Sequence, residues 1–157
     1  MESREKEAKQ IVEKYAWWSA GAGLFPLPGV DVVLIGGTNV LMLRELSALY
    51  GVEFSATRGR ALVSALVAGS VPPVLAGVAG FSRFLKFVPV VGQLLAPFGT
   101  SVFAAATTYA VGQVFIRHYE SGGTLLDFNP ARMRAYFREQ FARGKETADR
   151  EMKPSHA

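Results

Sequence analysis

The sequence predicts an all-α, membrane-associated chain of about five helices or helical hairpins separated by Pro/Gly-centred breaks. Apolar residues recur at three- and four-residue spacing, and no two-residue alternation is sustained. Proline and glycine clusters cut the apolar sequence at intervals. Charge is segregated: residues 1–14 hold eight charged side chains, residues 127–153 hold twelve, and the 112 residues between them hold ten. The expected organisation is one helical domain, 1–157. It comprises a charged helix start (1–14), a first apolar hairpin (15–50), further apolar hairpins (56–121), an amphipathic basic helix (129–151) and a tail (152–157).

The totals agree with this pattern. Of 157 residues, 50% are hydrophobic and 19% charged, where soluble domains average about 25% charged. The net charge is +4, and the mean hydropathy is +0.20. Such a composition excludes a disordered chain and a strongly basic nucleic-acid binder. Cysteine is absent, which removes disulfides, thiolate metal sites and cysteine nucleophiles. The first residues mix both signs of charge and lack a signal peptide's basic and apolar regions, so the chain reads as unexported.

Ser3 can cap the first helix, on which Ala8, Ile11, Val12, Tyr15 and Trp18 share a face. Beyond Lys14 the polar face disappears, and the segment needs burial in protein or lipid. Trp17 and Trp18 fit either an interfacial aromatic anchor or core packing. Pro26-Leu27-Pro28-Gly29 breaks the helix. Asp31 then opens a second helix reaching Tyr50 and ended by Gly51, and its carboxylate suits the positive end of that helix's dipole.

Ser55 can cap the next helix. Residues 61–82 carry no charge and are long enough to span a bilayer, but Pro72-Pro73 at their centre favours a bent or re-entrant hairpin. Arg83 and Lys86 precede a second uncharged run, 87–116, with Pro89, Gly92 and Pro97 near its start, so an uninterrupted helix is expected from about Phe98 to Tyr119. If both runs cross, Arg83 and Lys86 emerge opposite the other fifteen basic residues, as the positive-inside rule favours. Small residues such as Gly36, Gly37, Gly77, Gly80 and Gly112 allow close helix packing in a bilayer or in a tight soluble bundle.

Asn129-Pro130 starts the last helix as N-cap and N1. Met133, Tyr136, Phe137, Gln140, Phe141 and Gly144 form its apolar arc, with Arg134, Arg138 and Lys145 on one flank and Arg132 and Arg143 on the other. Such a helix suits an anionic membrane interface, or covers the bundle with the same arc.

No nucleotide-phosphate loop, nucleophile elbow, zinc-protease helix or dinucleotide fingerprint is present, so no cofactor, metal or nucleic-acid partner is expected and the chain is read as non-enzymatic. Ser3-Arg-Glu-Lys6 matches S-x-x-K only formally, in a charged helix start. His118 lacks a partner pattern for metal binding or base catalysis and suits a helix C-terminus.

Tyr15-Ala-Trp-Trp-Ser19, Ala22-Gly-Leu-Phe-Pro-Leu-Pro-Gly-Val-Asp31 and Leu49-Tyr-Gly-Val52 resemble the opening of the bacterial family catalogued as domain of unknown function 697. The likeness continues through Leu85-Lys-Phe-Val-Pro-Val-Val-Gly92, through Ala106 to Gly123 and into Phe137 to Lys145. It departs where Pro89-Val-Val-Gly92 replaces an expected Pro-Gly-Val-Gly and at Pro72-Pro73. The resemblance implies a helical, membrane-associated bacterial domain often found with a Ras-like GTPase domain, and no assigned catalytic residues. Here the GTPase would come from a separate polypeptide.

The leading expectation is a non-enzymatic module at the bacterial inner membrane, charged ends cytoplasmic, that anchors or regulates a partner protein. Its structural residues are Pro26, Pro28, Gly29, Asp31, Tyr50, Gly51, Pro89 and Gly92, and its membrane-interface candidates are Trp17, Trp18, Arg132, Arg134, Arg138 and Arg143. The alternatives are a soluble helical bundle that binds a protein, a homo-oligomeric channel or transporter with Asp31 in the ion path, and a membrane-embedded enzyme.

Overall fold

The computed structural model describes residues 2–22, 30–70 and 89–152. Among these the chain is all-helical, with five helices and no strand: α1 (Glu2–Ala22), α2 (Val30–Tyr50), α3 (Ala56–Ser70), α4 (Pro89–Glu120) and α5 (Pro130–Met152). Pro26, Pro28, Gly29, Pro72, Pro73, Arg83, Lys86 and the tail from 153 lie outside the described residues.

The helix ends follow from local chemistry. Glu2 and Glu5 occupy the first turn of α1, where the dipole favours carboxylates. α2 begins at Val30, which places Asp31 within its first turn. At its other end Gly51 adopts φ +66. There Val52 N–H donates to Ser47 C=O at 2.8 Å and Gly51 N–H to Ala48 C=O at 3.3 Å. This is a Schellman end, and its left-handed residue is glycine because a side chain strains its own backbone at positive φ. α4 ends the same way: Gly122 has φ +85, and Gly122 and Gly123 N–H donate to Tyr119 and His118 C=O at 2.9 and 3.0 Å. Ser55 Oγ accepts Arg58 N–H at the start of α3, and Asn129 Oδ1 accepts Ala131 N–H at the start of α5 at 3.0 Å.

α4 differs from the expected start near Phe98. It begins at Pro89 and carries Gly92 and Pro97 as helical residues, extending for 32 residues, about 48 Å at 1.5 Å per residue. Proline at the first helical position costs nothing, because the N–H it lacks would be unpaired there anyway. Pro97 removes one i→i−4 bond without ending the helix.

α4 is the central helix, packed most extensively on α5 and α1 and also touching α2 and α3. Ala104, Ala106, Thr108, Ala110, Val111, Val114 and Phe115 are buried along it. Gly112 lets the α1 and α4 backbones approach so closely that a Cβ there would strike the Val12 methyl groups. α3 crosses from α2, where Gly59 meets Leu43, to α5, where Arg134 lies over Gly69.

One expectation is corrected here within the described residues. No helix among the described residues is long and apolar enough to cross a membrane. From Val102 to Ile116 the charge-free stretch of α4 is largely buried between other helices, and its threonines, Gly112 and Gln113 keep it less apolar than a spanning segment. The arc of α5 is likewise spent on the bundle. Phe137, Gln140 and Gly144 are buried, and Met133, Tyr136 and Phe141 pack against the core, which is the bundle-covering role of the two that the arc allowed.

Candidate functional site

Antiparallel packing sets which residues share a level of the bundle. Arg4 lies over the Tyr50 ring at 5.7 Å. Ten residues further along α1, Lys14 Nζ and Tyr15 Oη both donate to the Glu45 carboxylate, at 2.9 and 2.7 Å. Ser19 and Thr108 hydroxyls pair at 2.6 Å between α1 and α4. One turn beyond these contacts, large apolar side chains face outward: Trp17 is 54% exposed, Trp18 57%, Leu41 50% and Phe103 41%. They form an exposed collar at one end of the bundle, on α1, α2 and α4, where Phe103 also packs edge-on to Phe141 of α5 at 5.6 Å. Trp18 packs edge-on to Tyr15 at 5.1 Å, and the Lys14 ammonium lies over both rings. The carboxylate of Glu45 is held below its ordinary pKa by the bonds from Tyr15 and Lys14. Burial and the Glu45 bond push Tyr15 up to about 12.

From Leu41 toward its start, α2 exposes Gly36 and Gly37 and has no charge before Asp31. The α5 side differs. Ala148 packs with Ala20, Val102 and Ala105, which brings the charged C-terminal turns of α5 to the collar's level.

A trough runs along α4 between α1 and α5. At the collar end it is a cleft of about 200 Å³, with Glu13 and Trp17 on the α1 wall, Ala105 and Tyr109 on the floor, and Thr147 and Glu151 on the α5 wall. It continues, sharing Glu13 and Tyr109, into a more polar groove of about 540 Å³ lined by Lys9, Gln113, Arg117, Gln140 and Arg143. Arg117 stacks on Tyr136 at 4.4 Å. Lys9 bonds Glu5 at 2.7 Å, and that partner raises its pKa.

The sequence-derived candidates do not converge. Trp17 and Trp18 sit at the collar, whereas Arg132 and Arg134 belong to the first turns of α5, near the C-terminal end of α4. Arg134 Nε is buried over Gly69 with no acceptor among the described residues, and Arg143 pairs with Glu139 at 2.9 Å. His118 holds the loop after α4: its Nε2 lies 2.8 Å from Thr124 C=O and 3.1 Å from Asp127 Oδ1. Asp127 also accepts the Thr124 N–H at 2.6 Å. That bond, with the His118 contact, holds its carboxyl below the usual range. Among the described residues no group of acidic or histidine side chains could hold a metal ion. Of the trough residues, Gln140 lies on the arc expected of the last helix, whereas Glu13, Gln113 and Glu151 escape sequence reasoning, the one local signal being the i,i+4 spacing of Glu13 with Trp17 and of Thr147 with Glu151.

Compared with known proteins, residues 1–146 match the family described as Domain of unknown function (DUF697). The chain belongs to that family. Among DUF697-like relatives, Magnetosome membrane protein 22 of Magnetospirillum gryphiswaldense is 37% identical over 145 residues, spanning 92% of this chain and 74% of the relative. No solved structure matches. The resemblance read from the Trp-Trp and Pro-Gly segments is upheld across nearly the whole chain. The DUF697 assignment brings a helical chain with no indication of catalysis.

Proposed function

We propose that this DUF697 chain is a non-enzymatic, membrane-associated helical module that holds a partner protein at a bilayer surface, with charged ends on the cytoplasmic side. The collar carries this reading. Tryptophan and leucine at one level, next to uncharged surface on α1 and α2 and with Lys14 just inside the polar zone, match the interface between headgroups and hydrocarbon. The name of the magnetosome membrane relative supports a membrane setting. Contact is peripheral or shallow for the described helices, since none is long and apolar enough to cross. The charged end of the bundle then faces the cytoplasm, where a GTPase domain, the partner implied by the family resemblance, would dock.

Flotation tests the reading. Full-length protein mixed with anionic vesicles should rise with them, and the Trp18→Gln/Leu41→Gln variant should lose most of that binding. A wild type that stays with the soluble fraction, or a variant that floats equally well, overturns it. Burial of α4 favours a second reading in which the collar docks a protein face instead of lipid; a wild type that ignores vesicles but self-associates through Leu41 would favour it.

A further inference from the structure

Leu126 is 74% exposed, more than any other large apolar side chain of the described residues, and it lies in the loop between α4 and α5, at the opposite end from the collar. A single leucine on a surface is ordinary; this one is held out by its loop. Leu125 and Phe128 on either side of it are buried. Thr124 Oγ1 accepts the Leu126 N–H at 3.2 Å, Asp127 Oδ1 accepts the Thr124 N–H at 2.6 Å, and His118 Nε2 reaches both Thr124 C=O and Asp127 Oδ1. The leucine is thus presented on a fixed backbone, and little ordering entropy is lost when something covers it. Asp127, next in the chain, takes all of its bonds on Oδ1, so among the described residues Oδ2 has no donor. Its side chain is 63% exposed.

A hollow with the complementary features lies elsewhere on the same chain. Where the last turns of α2 meet the start of α3, Ala48, Val52, Phe54 and Ala56 form the apolar walls of an open groove of about 510 Å³, and Arg44 is the one charged residue lining it. Arg44 is exposed and has no acceptor among the described residues. The loop therefore offers an apolar knob beside a carboxylate oxygen without a donor, and the groove offers apolar walls beside a guanidinium without an acceptor. Within one chain Arg44 and Asp127 form no ion pair. Between two chains the same groups make a charge-assisted bond, which fixes the register of the apolar contact.

We propose that Leu126 and Asp127 of one copy dock in the Arg44 groove of a second copy, with the leucine against Val52 and Phe54 and Asp127 Oδ2 accepting from Arg44. Knob and groove are different patches, so the contact is heterologous: each pair keeps one free knob and one free groove, and copies join head to tail. One loop in one groove buries less than a standard interface, which puts the dissociation constant at about 10–100 μM. The proposal goes beyond the membrane reading and stands without it, since none of its residues is Trp18 or Leu41.

Sedimentation equilibrium of the full chain from about 1 to about 300 μM tests it. The average mass should rise with concentration above the 17.0 kDa of one chain, and should do so equally in Trp18→Gln/Leu41→Gln. Leu126→Ser and Arg44→Glu should each weaken association by about tenfold or more. Both side chains are exposed, and unchanged thermal unfolding midpoints will show that the variants are folded. The deciding sample is their equimolar mixture. Leu126→Ser keeps the groove and Arg44→Glu keeps the knob, so the mixture should form one-to-one dimers and nothing larger. A wild type that stays at the mass of one chain throughout, a single variant that associates like wild type, or a mixture that stays monomeric overturns the proposal. Association lost in Trp18→Gln/Leu41→Gln but kept in Leu126→Ser overturns it too, and assigns self-contact to the collar. Flotation with vesicles should be the same for Leu126→Ser, Arg44→Glu and wild type, which separates failure of the membrane reading from failure of this one.

Discussion

The two ends of the bundle differ in how many of their large side chains are paired off inside the fold. At the charged end, where α2 and α4 finish and α5 begins, the aromatic and polar groups are met by others, while Leu126 in the loop before α5 is 74% exposed. Phe115 stacks on Phe128 at 4.4 Å, Ser47 and Tyr119 hydroxyls pair at 2.8 Å, and His118 ties down the Thr124–Asp127 loop. Two Schellman ends close the helices there. At the collar end, Trp17, Trp18, Leu41 and Phe103 face outward, and Gly36 and Gly37 leave open space beside α2. The contrast separates what holds the fold from what the fold offers to something else. Stability is invested at the charged end, and the collar carries apolar area that the described helices do not use.

The largest effect should therefore come from the charged end. Phe115 is fully buried and touches both Phe128 and Tyr119. Phe115→Ala removes the ring and leaves a cavity that rigid aromatic neighbours cannot fill, so about 3–5 kcal/mol should be lost in urea unfolding. A loss of less than about 1 kcal/mol would mean that this end can collapse onto the gap, and the contrast drawn above would fail.

A smaller effect comes from the paired hydroxyls of Ser47 and Tyr119. Burial pushes Tyr119 up to about 12, against the opposing effect of its bond to Ser47. The ordinary tyrosine value of about 10 applies once the chain unfolds. Below that pH both states hold the proton and the contribution is whole. Between about 10 and 12 the unfolded chain releases a proton that the folded chain keeps, so stability falls with rising pH. Tyr119→Phe should cost about 1 kcal/mol at neutral pH through the orphaned Ser47 hydroxyl, and should flatten the alkaline decline. Urea midpoints for both proteins at about pH 9 and about pH 11 check this; parallel declines would show that Tyr119 does not carry it, leaving Tyr15 and Tyr50, both also raised by burial and a carboxylate partner, as the responsible groups.

These two tests address parts of the molecule that short-range rules describe well. The ends at Gly51 and Gly122 and the Asn129-Pro130 start are legible because a cap involves residues three to five apart, all present in one stretch of sequence. The start of α4 was less legible, because proline both opens helices and breaks them, and Pro89 and Pro97 fall in one element. The uncharged run through Ala104 to Phe115 was ambiguous for another reason. A protein core and a bilayer both exclude charge, and only the helices packed around α4 show which environment this stretch has. The trough was legible only in part: spacing places Gln140 on the inward arc of the last helix, but Glu13 and Glu151 come to one cleft through helices far apart in the chain.

The smallest effect on stability should come from the collar itself. Leu41 is half-exposed on α2, and glutamine has nearly the same helix propensity as leucine, so Leu41→Gln changes little beyond the outward apolar surface. Its unfolding free energy should match wild type within about 0.5 kcal/mol, the usual range for surface substitutions. The same change, combined with Trp18→Gln, is expected to abolish most vesicle binding. A residue that matters for contact but not for folding is the behaviour expected of a docking surface. If Leu41→Gln instead destabilised the chain by as much as about 2 kcal/mol, the leucine would be part of the fold's own packing. The collar would then be the edge of a core completed by other residues of this chain, and its apolar area would no longer argue for a membrane.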